Sequence, residues 1–273
     1  MSYYAQLFHV IEAPLPFDSL PIPERFIERR GKTARDLIET LARHGVLDRV
    51  KSVLHVRCNA GKALAVLRDE HGLSELYALE YLPSLIRHAR EVNGLENVEP
   101  LLAPEFENPF PREKFDMILC NEDFGHAHDP RRVAAYLKTL LSDGGVLVVY
   151  NEKDHSKILS SMKLFPYGMN FFHKQVFTRK SLRIFLELCG FEVEELPHPA
   201  IGKPTSPKNS KILYVARVSE CAAPALPSDE VEEMTRIFRK WWSAYKWFRR
   251  GRGPLSLFQH RGPSPTGGGE ARR

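Results

Sequence analysis

From Ser52 onward, apolar stretches of strand length alternate with amphipathic stretches of helix length, and this alternation constrains the fold more than any other feature. "SVLHV", "ELYALE", "NVEPLL", "FDMILCN" and "VLVVYN" read as strands. "GKALAVLRDEHG", "PSLIRHAREVNG", "DPRRVAAYLKTLLSDGG" and "TRKSLRIFLELCGF" read as helices. Strand and helix in turn predict a parallel sheet covered on both faces. The Val-rich "VLVVYN" fits a strand buried on both sides. Helix ends are marked as helices prefer. Asp129 precedes Pro130 at one start, Thr178 caps another, and Gly72, Gly94 and Gly190 stand just past ends. "EVEEL" and "KILYVARV" supply two closing strands.

The flanks differ from this middle. Prolines in "APLPFDSLPIPERF" predict an extended arm, and "ERFIERRGKTARDLIETLARHGVL" carries Leu37, Ile38, Leu41 and Leu47 at helical spacing, with a stop at His44-Gly45. The expected division is an arm with helices over 1–48, an α/β domain over 49–219, and a linker, amphipathic helix and disordered tail over 220–273. In the last part Val231, Met234, Phe238, Trp241, Tyr245 and Phe248 form one stripe beside a crowd of basic residues. Such a helix suits docking on protein, or lying on an anionic membrane surface.

With 273 residues, 43% of them hydrophobic, the chain can bury one large core. Its net charge of +5 permits anionic partners without demanding them. Nucleic acid ranks last among partners, because no recognition motif accompanies the basic residues. No apolar run is long enough to span a bilayer. No charged segment followed by an apolar stretch opens the chain, so no signal peptide is expected. Cys58, Cys120, Cys189 and Cys221 form no CxxC pair and match no zinc spacing, which fits reduced thiols in a cytoplasmic protein.

In a doubly wound sheet, ligands bind outside the carboxyl ends of the strands, at the first βα turn and beside an acid ending the second strand. Here the turn is "VLHVRCNAG", and Glu80 ends the second strand. The pair suits an adenosine-containing ligand; alone it also describes a tight turn with a surface acid. Asn59 tolerates left-handed backbone angles, whereas Arg57 would resist them.

The order of later segments resembles the class I S-adenosylmethionine-dependent methyltransferases over Ser52 to Val218. "LHVRCNAG" overlies the family's first motif, and Glu80 its second-strand acid. "FDMILCNEDFGHAHDP" follows its fourth strand and loop, and "LSDGGVLVV" its turn before the fifth strand. The resemblance implies a doubly wound, mostly parallel seven-stranded sheet with helices on both faces and the last strand antiparallel. It implies S-adenosylmethionine as cofactor, held by His55, Arg57, Cys58, Asn59, Gly61, Glu80, Tyr81, Glu105 and Asn121. Catalytic candidates are His126, which matches a recurrent family histidine, with Glu122 and His173. No metal is implied: His126 and His128 lack the further ligands a metal site needs. The departures are His55 in place of an acid, and Arg57 and Asn59 in place of glycines. The expected function is methyl transfer to a small-molecule, glycan or lipid-linked acceptor. The alternative is a methyltransferase-like binding or scaffold protein that has lost catalysis. A nicotinamide dehydrogenase ranks third, since the loop is not GxGxxG.

Overall fold

The computed structural model describes residues 24–101, 107–121, 123–154, 175–198 and 211–219, together with 236 and 239. In chain order its elements are α1 (Glu24–Arg43), β1 (Ser52–Val56), α2 (Lys62–His71), β2 (Glu75–Glu80), α3 (Pro83–Glu91) and β3 (Asn97–Pro100). They continue with β4 (Phe115–Asn121), α4 (Pro130–Thr139), β5 (Leu141–Lys153), α5 (Arg179–Leu188), β6 (Phe191–Glu195) and β7 (Lys211–Val218).

The strands form one seven-stranded sheet in the order β3-β2-β1-β4-β5-β7-β6. β1 pairs in parallel with β2 and β4, as β2 does with β3 and β4 with β5. β7 runs antiparallel to both β5 and β6, as the family resemblance implied. Side chains alternate along each strand, so the sheet separates two apolar layers. Val53, Met117, Val148 and Val215 pack with Leu37, Leu41, Leu64 and Ile86 of α1, α2 and α3. Leu54, Ile118, Leu147 and Tyr214 pack with Val133, Leu137, Leu182 and Leu186 of α4 and α5. A single helix, α1, covers the stretch where one or two were expected, and its buried stripe joins the first of these layers.

Caps fall where the sequence puts them. Asp129 accepts the backbone N–H groups of Arg131 and Arg132. Thr178 and Ser181 form a reciprocal capping box. "LSDGG" departs from expectation. It does not extend α4, which ends at Thr139; it belongs to β5. There β4 and β5 lose register, because Phe115 faces Leu141 while Met117 faces Val146. The extra residues bulge outward. Gly144 turns at φ 76°, and a Cβ on Gly145 would lie 2.9 Å from the Ser142 carbonyl. Asp116 ties down the same edge by accepting from the Ser52 and Ser142 hydroxyls. That edge is opposite the carboxyl ends of β1, β2 and β4, where the site lies.

Candidate active site

β1 connects onward to β2 on one side and lies against β4 on the other, so a crevice opens between the loops that follow β1 and β4. The turn after β1 is built on alternating left-handed residues: Arg57 at φ 55°, Asn59 at φ 54° and Gly61 at φ 75°. The glycine-type course of the loop is therefore kept without glycine at two of its positions. At Gly61 the smaller residue is obligatory. A Cβ would overlap Leu95 and approach the Ala89 Cβ to 3.1 Å. Asn93 supports the same turn, donating its side-chain amide to the Ala60 carbonyl at 2.5 Å.

Glu80 binds two loops together. Oε2 accepts the backbone N–H of Asn59 at 2.6 Å, and Oε1 accepts those of Tyr81 and Leu82 at 2.7 and 3.2 Å. The carboxylate is buried. Burial pushes its pKa up, against the opposing pull of the Arg57 cation and the three N–H donors.

Arg57 lies across the crevice. Its guanidinium sits 5.7 Å from the centre of the Tyr81 ring, on the β2 side. On the β4 side, Nε is 3.7 Å from Asp123 Oδ1, an ion pair too long to be a hydrogen bond. Asp123 is 1% exposed. Its Oδ2 accepts the backbone N–H of Asn121 at 3.2 Å. Burial lifts its pKa to about 7, with the Arg57 charge opposing that rise.

A polar ladder continues towards β5. Asn121 donates to the Arg57 carbonyl at 3.1 Å and accepts from Asn151 at 2.9 Å. Asn151, also left-handed at φ 64°, accepts from the Lys211 ammonium at 2.8 Å. Among the described residues, the non-glycine residues with positive φ are Arg57, Asn59 and Asn151, all on this ladder. Strain confined to one place is a mark of a functional site.

His55 faces away from acid–base work. Its Nε2 lies 2.6 Å from the Tyr150 hydroxyl, and burial pushes its pKa down to about 3, so the ring is neutral. It lines a cavity of about 30 Å³ with Arg30, Thr33, Asn59, Lys62 and Tyr150. That space holds a water or two and no nucleoside. Burial raises the Cys58 and Cys120 thiols, which suits inert side chains rather than nucleophiles.

His126, half-buried in the turn after β4, donates its backbone N–H to the Asp123 carbonyl at 3.1 Å. The neighbouring Gly125 N–H reaches the buried Glu152 carboxylate at 3.2 Å. Of the sequence-predicted residues, the structure brings Arg57, Asn59, Gly61, Glu80, Tyr81 and Asn121 together around the crevice, with Cys58 buried in the turn. Glu105, Glu122 and His173 lie outside the described residues. Sequence reasoning missed Asp123, Tyr150, Asn151 and Glu152. Their signal was present, since polar residues directly follow the apolar runs of β4 and β5 in "CNED" and "VVYNE". Among the described residues, no group of three or more His, Cys, Asp or Glu side chains could hold a metal ion.

A doubly wound sheet closed by an antiparallel β7, with a turn and an acid at its switch point, defines the class I methyltransferase fold. The methyltransferase-domain family matches residues 26–196, and the chain belongs to it. Solved structures share the fold. A chain from the Haloferax volcanii complex of the Trm112 methyltransferase activator is 18% identical, with a TM-score of 0.53 over 76% of this chain and 100% of that one. An O-methyltransferase family protein from Burkholderia thailandensis is 17% identical, with a TM-score of 0.53 over 80% and 69%. Magnesium protoporphyrin IX methyltransferase from Synechocystis PCC 6803, solved with bound SAH, is 12% identical, with a TM-score of 0.50 over 70% and 84%. No curated protein matches the sequence significantly. The protein is a methyltransferase of the class that uses S-adenosylmethionine.

The crevice fits that cofactor in its backbone course and in the placement of Glu80, whose carboxylate has lone pairs beyond those its three N–H donors use. One side chain, Arg57, stands across it.

Proposed function

We propose that this methyltransferase acts on a small-molecule, glycan or lipid-linked acceptor held over the carboxyl ends of β4 and β5. When bound, S-adenosylmethionine supplies a methyl group on a sulfonium, open to in-line displacement. Glu80 and the turn from Arg57 to Gly61 bind and orient the nucleoside end. The observation that carries the acceptor reading is the polar cluster beyond β4. There Asn121 accepts from Asn151, and the N–H of Gly125, the neighbour of His126, reaches the Glu152 carboxylate. In this reading His126 takes the acceptor's proton, work that contributes about 10²–10⁴-fold when done by a placed side chain. The mild charge of +5 fits this reading better than a polyanionic substrate.

The test is transfer of labelled methyl from S-adenosylmethionine into a panel of small molecules, glycans, lipids, peptides and RNA. Label in the first three classes supports the reading, and label confined to peptide or RNA overturns it. His126→Asn should lower turnover while leaving cofactor affinity unchanged.

We propose a cytoplasmic location, supported by cysteines that form no paired or zinc-spaced pattern. The stripe over 228–250 lies outside the described residues apart from Arg236 and Arg239, which are helical and exposed. It would supply contact with protein or with a membrane surface, and vesicle co-sedimentation of the full and truncated chains separates the two.

A further inference from the structure

The sheet order β2-β1-β4 puts Arg57 in the middle of the ligand crevice, and its side chain reaches both walls. Tyr81 follows β2, Asp123 follows β4, and the guanidinium contacts both. The backbone beneath it is left-handed at φ 55°. There a long side chain costs about 1 kcal/mol that glycine would not. A bulky cation is thus kept at a position whose backbone suits glycine, between two buried carboxylates, Glu80 and Asp123.

We propose that the Arg57 side chain is the gate of the cofactor crevice: resting between Tyr81 and Asp123, it must swing outward before the nucleoside enters, and it sets how tightly the cofactor binds. The inference rests on S-adenosylmethionine being the cofactor and concerns only how this chain admits it. When the open form is a minor population, apparent affinity falls by the open fraction. Because the ligand enters only the open form, the closed gate lowers the apparent affinity of the methyl donor and of the demethylated product by the same factor.

Calorimetry on the full chain tests this, with S-adenosylmethionine and S-adenosylhomocysteine titrated into wild type, Arg57→Gly and Arg57→Asn. Asparagine tolerates the left-handed backbone and guards against a folding failure of the glycine variant. The expected result is affinity about tenfold tighter in both variants, by the same factor for donor and product. A second readout needs no ligand. Arg57→Gly should melt below wild type, because Asp123 loses its cation, and adding Asp123→Asn should restore the melting temperature. Unchanged or weaker donor affinity in folded variants overturns the gate and makes Arg57 a residue that holds the cofactor. If neither wild type nor the folded variants bind either ligand, the cofactor assignment fails, and the gate falls with it.

Discussion

The backbone N–H of Asn59 donates to the Glu80 carboxylate at 2.6 Å, so the residue that ends β2 also holds shut the turn that follows β1. Two loops brought together by parallel pairing of β1 and β2 become one rigid wall of the crevice. The same carboxylate fixes the start of the next turn through Tyr81 and Leu82. The acid to which the resemblance assigns a ligand contact is equally a structural clamp.

Glu80→Ala should therefore damage both stability and binding. Three part-buried N–H groups would lose their acceptor, at a cost of about 2–4 kcal/mol after partial hydration. For a chain of this size that lowers the melting temperature by roughly 5–10 °C. Glu80→Gln keeps one acceptor oxygen but sets an amide donor against an N–H, so it should fall between the two. Thermal melts with and without S-adenosylmethionine check this; an alanine variant that melts like wild type would mean that the turn needs no clamp.

Gly61→Ala should be more damaging than its size implies. The left-handed backbone at φ 75° resists a Cβ, and that Cβ would press on Leu95 and Ala89. Strain and overpacking together amount to about 2–4 kcal/mol. Adding Leu95→Ala relieves the overlap but not the backbone, so the double variant should recover only part of the loss relative to Leu95→Ala alone. Chemical denaturation of the four proteins gives the coupling directly.

The architecture was legible because strand and helix signals alternate cleanly and the caps at Asp129 and Thr178 are local. "LSDGG" misled because a glycine pair after a helix looks like its stop, while the bulge that uses it depends on Phe115 and Met117 from another strand. The site was legible as far as chain-local rules reach: a turn at Gly61 and an acid at Glu80. Which way Arg57 points was not, because its partners Tyr81 and Asp123 come from different strand ends. His55 illustrates the same limit. Its tie to Tyr150 spans β1 and β5, and no spacing in the sequence announces it.

Asp123 gives stability a dependence on pH. Its pKa rises from 3.8 to about 7 on folding because burial disfavours the charged form. The folded state then binds more protons than the unfolded one between those values, so stability falls as pH rises through that window. The penalty is absent below the lower value and complete above the upper one, with a slope of roughly 1 kcal/mol per pH unit between. Asp123→Asn should match wild type near the acid end and melt increasingly above it as pH approaches 8. A constant gap between the two proteins would show that Asp123 ionises freely.

His55 acts with the opposite sign. Its folded pKa is pushed from 6.5 to about 3 by burial, so the unfolded state takes up the proton first. Its contribution is present above the upper value and is lost as pH falls towards the lower one. Between about pH 4 and 6.5 the two slopes oppose each other, and wild type should show little net dependence there. Each substitution unmasks the other group. His55→Gln, which retains an acceptor for the Tyr150 hydroxyl, should become more stable on acidification through this window, while Asp123→Asn should become less so. Melting curves of wild type, the two single variants and the double variant across the window check this. The double variant should be as flat as wild type, and a flat profile in both single variants would mean that neither group changes its proton affinity on folding.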